Sequence, residues 1–173
     1  YQSSGATIIN SSKELLNNAD ITLKVLSPSN EEIDLLKEKS VFVSLCQTTR
    51  ELETVRNLTN KKISAFSMHL IPRTTLAQKM DALSSQANIA GYKAVLIAAS
   101  RLGVYMPLLM TAAGTIRPSK VLVLGAGVAG LQAIATAKRL GAQVEAFDVR
   151  PVVKEQVESL GAKFIEVDSE NDD

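Results

Sequence analysis

Residues that carry acid–base, redox and metal chemistry are scarce in this sequence. Its 173 residues include one cysteine, one histidine and no tryptophan. The single cysteine, Cys46, can form neither an internal disulfide nor a site with several thiolate ligands. The single histidine, His69, excludes metal sites built from several imidazoles and proton relays between two histidines. We interpret Cys46 as a buried apolar residue at a strand end and His69 as a structural residue, and we expect no metal site.

An excess of charge of one sign is also missing. The 19 lysines and arginines are balanced by 18 aspartates and glutamates, which gives a formal net charge of +1. The basic residues are dispersed along the chain, so they form no stretch that would attract a phosphate backbone. We therefore expect no nucleic-acid partner. The hydrophobic fraction of 46% is typical of a globular domain.

The chain has no uninterrupted apolar run long enough for a membrane span. Its longest apolar region, residues 94–115, contains Arg101 and Pro107, whereas a span needs about 20 apolar residues. This pattern predicts a buried helix followed by an irregular connection. The first residues lack the features of a secretory signal. We therefore expect soluble material, and the missing initiator methionine suggests part of a longer protein.

The first 80 residues alternate between short apolar runs and helix-patterned segments. Strands are predicted at 21–26, 41–45 and 63–66, and helices at 12–18, 30–39 and 49–57, with Ser29 or Asn30 as the N-cap of the second helix. This alternation predicts a mostly parallel sheet covered by helices. From about residue 80 the sequence is rich in small residues, which favours a helix that joins two domains and packs closely on a neighbour.

An internal repeat organises the C-terminal part. Residues 140–148 are echoed by residues 160–168, and each copy reads as a helix end, a glycine cap, a strand and an aspartate. Gly141 and Gly161 occupy the positions where a left-handed residue ends a helix, and Pro151 stands where the next helix can begin. Together with a strand at 120–124, the repeat predicts a βαβαβ unit.

These patterns predict an α/β fold with two domains. Residues 1–84 form part of an N-terminal parallel-sheet domain, and residues 85–173 form a linking helix and the first half of a Rossmann-type domain. The residues from Val121 onward are about a third of the roughly 150 that a complete doubly wound domain needs. We therefore expect the second half of this domain to lie outside the chain.

The motif with the clearest chemistry is GAGVAG at residues 125–130, between the strand VLVL and a predicted helix. In a GxGxxG motif, Gly125 allows the tight turn, Gly127 lets the main chain approach a pyrophosphate, and Gly130 allows the helix to pack on its strand. The helix N-terminus then offers free amides to an anion. We predict a dinucleotide site here, formed by Gly125, Ala126, Gly127, Val128, Ala129 and Gly130. The alternative is a structural turn that binds nothing.

An aspartate stands at the end of the next predicted strand, 23 residues after Gly125. A carboxylate at this place accepts hydrogen bonds from the adenosine ribose hydroxyls, so Asp148, with Val149 and Arg150 beside it, favours NAD(H) over NADP(H). Arg150 could pair with a 2′-phosphate, but neutralising Asp148 is its simpler role. Asp168, one strand further on, is a weaker candidate for the ribose.

Several stretches of the sequence resemble the NAD(H)-binding component of proton-translocating NAD(P) transhydrogenases. The resemblance is dense from residue 71 to residue 168 and weaker before that. The stretches that carry it are LIPRTTLAQKMDALSSQANIAGYKA at 70–94, MTAAG at 110–114, the glycine motif, KEQVESLG at 154–161 and SGAT at 4–7.

The resemblance implies a dimeric, two-domain unit that binds NAD(H) in the cleft between its domains. It further implies that hydride passes directly to or from NADP(H) on a separate partner domain, and that a membrane proton-channel domain couples this exchange to proton translocation. The chain would then be a soluble domain of an enzyme of the bacterial plasma membrane or the mitochondrial inner membrane.

The resemblance also assigns roles to four polar residues that would otherwise be interpreted as ordinary surface positions. Arg73 and Asp81 match the family residues that orient the carboxamide and the nicotinamide ribose. Ser84 matches a residue that supports them, and Gln78 matches one that lies toward the partner's nicotinamide. These four are the candidate catalytic residues.

Two other interpretations stay open. Alanine dehydrogenases share the two-domain plan and the glycine motif, but they use a histidine at the end of an N-terminal strand, where this sequence has Ser44-Leu45-Cys46-Gln47. Oxidation of an amino acid needs such a base, whereas hydride transfer between two nicotinamide rings releases no proton at the reacting carbons. The last interpretation is a catalytically silent fragment whose core is too small to hold the cleft.

Overall fold

The computed structural model describes residues 1–167 and divides the chain into two compact units, Tyr1–Leu83 and the residues from Ser84 onward. Each unit is built around a parallel sheet. Strands alternate with helices in both, which confirms the predicted α/β class with a parallel-sheet domain followed by a Rossmann-type half. Within residues 1–167, no helix combines the length and the apolar character that a bilayer crossing demands.

The N-terminal unit contains a three-stranded parallel sheet in the order β1-β2-β3. Its strands are β1 (Ile21–Leu23), β2 (Val41–Ser44) and β3 (Ser64–Ser67), and its helices are α1 (Ser12–Asn18), α2 (Asn30–Leu35) and α3 (Leu52–Asn60). The core of this unit is a cluster of apolar side chains from the helices and the central strand: Leu16, Ile33, Leu36, Phe42, Leu58 and Ile63.

Several predicted boundaries in this unit are wrong by a few residues. The strand predicted at 21–26 ends at Leu23, although Lys24 N–H still donates to Val43 O at 3.0 Å. The helix predicted at 30–39 ends at Leu35 because Leu36 is extended and Lys39 has a φ of +63°. The third helix runs over 52–60 rather than 49–57, since a turn closed by Arg50 N–H precedes it.

The C-terminal unit contains the predicted βαβαβ. Its elements are β6 (Lys120–Leu124), α5 (Val128–Arg139), β7 (Gln143–Phe147), α6 (Lys154–Ser159) and β8 (Lys163–Phe164). The three strands form a parallel sheet in the order β6-β7-β8, and the two helices connect them. Gly141 and Gly161 follow the helices with φ values of +88° and +77°, which confirms both as helix caps. Pro151 opens a 3₁₀ turn that leads into α6.

The small-residue stretch forms helix α4 (Ala82–Arg101). A Cβ atom at Gly91 would lie 2.1 Å from Ala129 O, so Gly91 is the place where α4 packs backbone to backbone on the start of α5. The prediction of a close approach is confirmed. The helix predicted at the start of region 94–115 is present as the end of α4, up to Arg101, but its predicted burial is wrong, because Gly91 and Val95 are the only buried residues of α4 among those that the structure describes.

The connection after α4 is irregular, as predicted, only over residues 102–108. The residues that follow form an antiparallel hairpin of β4 (Leu109–Thr111) and β5 (Gly114–Ile116) with a two-residue loop. Gly114 has a φ of +115°, and Ala113 N–H donates to Thr111 Oγ1 at 3.2 Å. The loop residues Ala112 and Ala113 lack the Asn-Gly or Asp-Gly signal that marks most tight hairpins, which explains why the sequence did not indicate this one.

The core of the C-terminal unit lies between its sheet and helices. Ile134, Ala137, Ala146 and Val157 are fully buried. Small side chains on α5 and β7 allow the helix to lie close to the sheet. The end of β6 and the start of α5 are thereby held in a fixed relation, and the candidate site is built on this junction.

Candidate functional site

The glycine-rich loop connects the end of β6 to the first turn of α5. Gly125 has a φ of +94°, a conformation that residues with a side chain rarely adopt. Its N–H donates to Phe147 O, at the end of β7, at 2.7 Å. The loop is therefore fixed both by its own conformation and by a backbone hydrogen bond to the neighbouring strand.

The other two glycines of the motif differ in their surroundings. A Cβ atom at Gly130 would lie 1.8 Å from Gly125 O, whereas a Cβ atom at Gly127 would meet nothing within 4 Å. Gly130 is therefore required for packing of the helix on its own loop. Gly127 has open space above it, and this space is where a bound group could approach the main chain.

The N-terminus of α5 is not capped by a side chain from the described residues. Its cap is Gly127, and the first backbone bond into the helix runs from Leu131 N–H to Gly127 O at 2.8 Å. The amides of Val128, Ala129 and Gly130 lie in the first turn, where helix geometry gives them no partner within the helix. Free amides and the positive end of the helix dipole together favour an anion at this place.

A carboxylate lies beside the loop. Asp148 follows β7, and its side chain is only 6% exposed. Its Oδ2 accepts a hydrogen bond from Ala126 N–H at 2.7 Å, and its Oδ1 accepts one from Arg150 N–H at 2.9 Å. The glycine loop and the end of β7 are thus joined through Asp148.

Arg150 forms a two-point ion pair with Asp148. Its Nε lies 2.9 Å from Oδ1 and its Nη2 lies 3.0 Å from Oδ2. The guanidinium, then the Ala126 amide, hold the pKa of Asp148 well below its usual value of 3.8, and Asp148 in turn raises the pKa of Arg150. Asp148 is therefore ionised at neutral pH, and Arg150 takes the neutralising position that the sequence favoured. Val149, between them, is 82% exposed.

The loop and its surroundings fit a dinucleotide. A diphosphate needs backbone amides and room for close approach, and the loop has both at Gly127 and the start of α5. A ribose is bound by a carboxylate beside such a loop, and Asp148 is an ionised carboxylate in that place, with Ala126 and Arg150 N–H groups as its present donors. The hydrogen bond from Ala126 to Asp148 was not expected from the sequence, because a backbone donor leaves no mark on residue type.

The four polar residues assigned by resemblance lie on one segment after β3. Arg73 and Gln78 are exposed, while Asp81 and Ser84 are half-buried and each has an interaction partner. The segment is folded by local backbone bonds, such as that from Met80 N–H to Ala77 O at 2.8 Å. Asp81 immediately precedes α4, and Ser84 lies in its first turn.

Cys46 and His69, both interpreted as structural residues, and Asp168, the weaker ribose candidate, lie outside the segment of residues 73–84. Cys46 is buried, its burial raises the pKa of the thiol, and its Sγ lies 3.8 Å from an oxygen of Glu51. His69 is exposed in a 3₁₀ turn. Asp168 lies outside the described residues. In the part of the chain that the structure describes, no three His, Cys, Asp or Glu side chains are grouped so that they could hold a metal ion.

Both units match domains of one protein family. The N-terminal domain described as "Alanine dehydrogenase/PNT" matches residues 1–90, and the C-terminal domain of the same description matches residues 94–173. Among solved structures, a transhydrogenase from Sinorhizobium meliloti superposes with a TM-score of 0.83 at 48% identity, covering 96% of this chain and 49% of that one.

Proteins named as transhydrogenases and proteins named as alanine dehydrogenases are both similar to this chain in sequence. An NAD(P) transhydrogenase alpha subunit of Rhodospirillum rubrum is 51% identical over 171 residues, which is 96% of this chain and 44% of that protein. An alanine dehydrogenase of Staphylococcus saprophyticus is 29% identical, covering 92% of this chain and 43% of that enzyme. The chain spans less than half the length of these relatives. With both of its domains matched, the chain belongs to the alanine dehydrogenase/PNT family.

Proposed function

We propose that this chain is the NAD(H)-binding part of an NAD(P) transhydrogenase. The observation that carries the proposal is the junction of β6 and α5, where an uncapped helix start and the ionised Asp148 lie side by side. The sequence identity of 51% with a transhydrogenase alpha subunit, against 29% with an alanine dehydrogenase, favours this member of the family.

The proposed binding mode divides the dinucleotide among the described residues. The amides of the loop from Gly125 to Gly130 hold the diphosphate, and Asp148 orients the adenosine ribose. Arg73 and Asp81 position the nicotinamide end, Ser84 supports them, and Gln78 faces the partner. When bound, the nicotinamide supplies the capacity to donate or accept hydride. The protein contributes orientation and exclusion of water rather than a general base.

The partners follow from the same proposal. An NADP(H)-binding domain exchanges hydride with this chain, and a membrane proton-channel domain couples the exchange to proton translocation. The relatives are named as subunits, which supports an assembly of several components. We further propose a homodimer and a place on the surface of a bacterial plasma membrane or a mitochondrial inner membrane.

The alternative of an alanine dehydrogenase-like oxidoreductase is less well supported. β2 ends at Ser44, and the three residues that come directly after it, Leu45-Cys46-Gln47, contain no histidine. Cys46, two residues after the end of β2, is buried, and its burial raises the pKa of the thiol, so the thiol is unsuited to accept a proton at neutral pH.

Substitution of Asp148 by Asn tests the ribose assignment. The amide loses the charge that attracts the ribose hydroxyls, so we expect NADH affinity to fall about ten- to a hundredfold. NADPH affinity should stay the same or improve, because the repulsion of its 2′-phosphate disappears. Calorimetric titration of both nucleotides measures this. Glu145→Gln is the control, since Glu145 is a carboxylate within β7 that pairs with Lys163 Nζ at 3.7 Å and, among the described residues, makes no hydrogen bond to the glycine loop. Equal losses of both nucleotides would refute the assignment.

The reaction is tested by isotope transfer. The chain is mixed with the NADP(H)-binding component of a transhydrogenase, and deuteride is followed from labelled NADH to NADP⁺. Direct transfer retains the label in NADPH. Label in the solvent, or turnover that depends on added alanine, would contradict the transhydrogenase proposal. NADH binding without any transfer would favour the silent fragment.

A further inference from the structure

The carboxylate of Asp148 has no acceptor site left for a ligand. Four N–H groups surround its two oxygens: the Ala126 and Arg150 amides at 2.7 and 2.9 Å, and Nε and Nη2 of Arg150 at 2.9 and 3.0 Å. A carboxylate has about four acceptor positions. A ribose hydroxyl can therefore reach Asp148 only if one of these donors leaves.

The four donors differ in how easily they can leave. The Ala126 amide lies in a loop fixed by the positive φ of Gly125 and the bond to Phe147, and the Arg150 amide lies on the same short turn as Asp148. The Arg150 side chain is 57% exposed. Water can solvate its guanidinium as soon as it moves, so its release costs little.

We infer that the guanidinium of Arg150 and the adenosine ribose hydroxyls compete for the same two oxygens of Asp148. This inference rests on the proposed NAD(H) function. Without nucleotide, the guanidinium of Arg150 contacts both oxygens of Asp148, and the Ala126 amide orients the carboxylate toward the loop. When the nucleotide binds, the hydroxyls replace the guanidinium, and Arg150 moves to a position beside the ribose.

The competition affects the two nucleotides in opposite ways. Binding of NADH must break the ion pair and gains nothing from the released cation. The 2′-phosphate of NADPH would meet the negative charge of Asp148, but it would also have the released guanidinium beside it as a partner. Arg150 is thus a specificity-determining residue that lowers affinity for NADH and raises affinity for NADPH.

Replacement of Arg150 by Gln in the full chain tests this inference. We expect the dissociation constant for NADH to fall about two- to fivefold and that for NADPH to rise by a similar factor, the range expected for an exposed ion pair. Both are measured by calorimetric titration, after thermal unfolding has shown that the variant folds. Arg139→Gln is the matched control, because Arg139 is exposed in the last turn of α5, at the opposite end of the helix from the loop.

A second variant keeps the test decisive. Arg150→Lys retains the positive charge but loses the two-point contact with Asp148. This variant should keep most of the NADPH affinity, and its gain in NADH affinity should be smaller than that of Arg150→Gln. If both variants weaken both nucleotides, or change neither while wild type binds NADH, the inference is overturned and the proposed function stands. If wild type binds no NADH at all, the proposed function fails and the inference fails with it.

Discussion

Two helix starts in this chain differ in what satisfies their free amides. At the start of α2, Ser29 Oγ accepts from Glu32 N–H at 3.2 Å, and the Glu32 carboxylate accepts from Ser29 N–H at 2.8 Å. This capping box closes the helix with its own side chains. At the start of α5, Gly127 has no side chain to offer, so the first amides stay available. The difference teaches that a capped start is structural, while an uncapped start beside a fixed carboxylate is suited to an anionic ligand.

The strongest challenge to this comparison is Gly130→Ala. The added methyl group would lie 1.8 Å from Gly125 O, so α5 must move away from the loop. We expect the free energy of unfolding to fall by about 3 kcal/mol, the upper range for an overpacked site, and NADH binding to be lost. Denaturant unfolding and calorimetric titration measure the two effects. Unchanged stability would show that the loop and helix are not packed as described.

A serine at Gly127 would sharpen the comparison, because it gives α5 the kind of cap that α2 has. The site has room for a side chain and an extended backbone, so stability should stay the same or rise by a few tenths of a kcal/mol. NADH affinity should fall about tenfold or more, because the hydroxyl takes an amide and occupies the open space. Gly127→Ala is the matched control, which fills the space without capping. A serine variant that binds NADH normally would exclude this loop as the diphosphate site.

The smallest expected effect concerns the capped start itself. Glu32 also pairs with Lys24, at 2.5 Å, and the Lys24 ammonium, then the Ser29 amide, lower the pKa of Glu32 from its usual 4.5. Because this pKa is lower in the folded state, the stabilisation is complete at pH 7 and is lost as the pH falls below 4.5 and through the folded-state pKa. Glu32→Gln should cost about 0.5 kcal/mol at pH 7 and remove this part of the pH dependence. Urea unfolding of the wild type and the variant, at pH 7 and at a pH below 4.5, measures the difference in the free energy of unfolding. NADH affinity should not change.

The two helix starts also explain how much of the structure the sequence could predict. Gly125 and Gly130 are required by a positive φ and a close backbone approach, so the motif indicates its own geometry. Gly141 and Gly161 are predictable for the same reason. Ser29 and Asn30 were both reasonable caps, and only the structure shows that Ser29 is the one that closes the box.

Other features depend on contacts that a single sequence does not indicate. The end of α2 is set by an extended Leu36, and the hairpin after α4 has two alanines in its turn. Arg73 and Gln78 lie on an exposed segment with no periodic pattern, and only the family resemblance marked them. Two of the hydrogen-bond donors to Asp148 are backbone amides. Residue types alone therefore could not predict that all acceptor positions of this carboxylate are occupied.

The most direct test of the account is a crystal structure of the chain grown with NADH. We predict the diphosphate within hydrogen-bond distance of the amides at the start of α5, the adenosine ribose on Asp148, and the Arg150 side chain displaced from that carboxylate. Density for the nucleotide at another place, with Asp148 still paired to Arg150 and no group against Gly127, would contradict it.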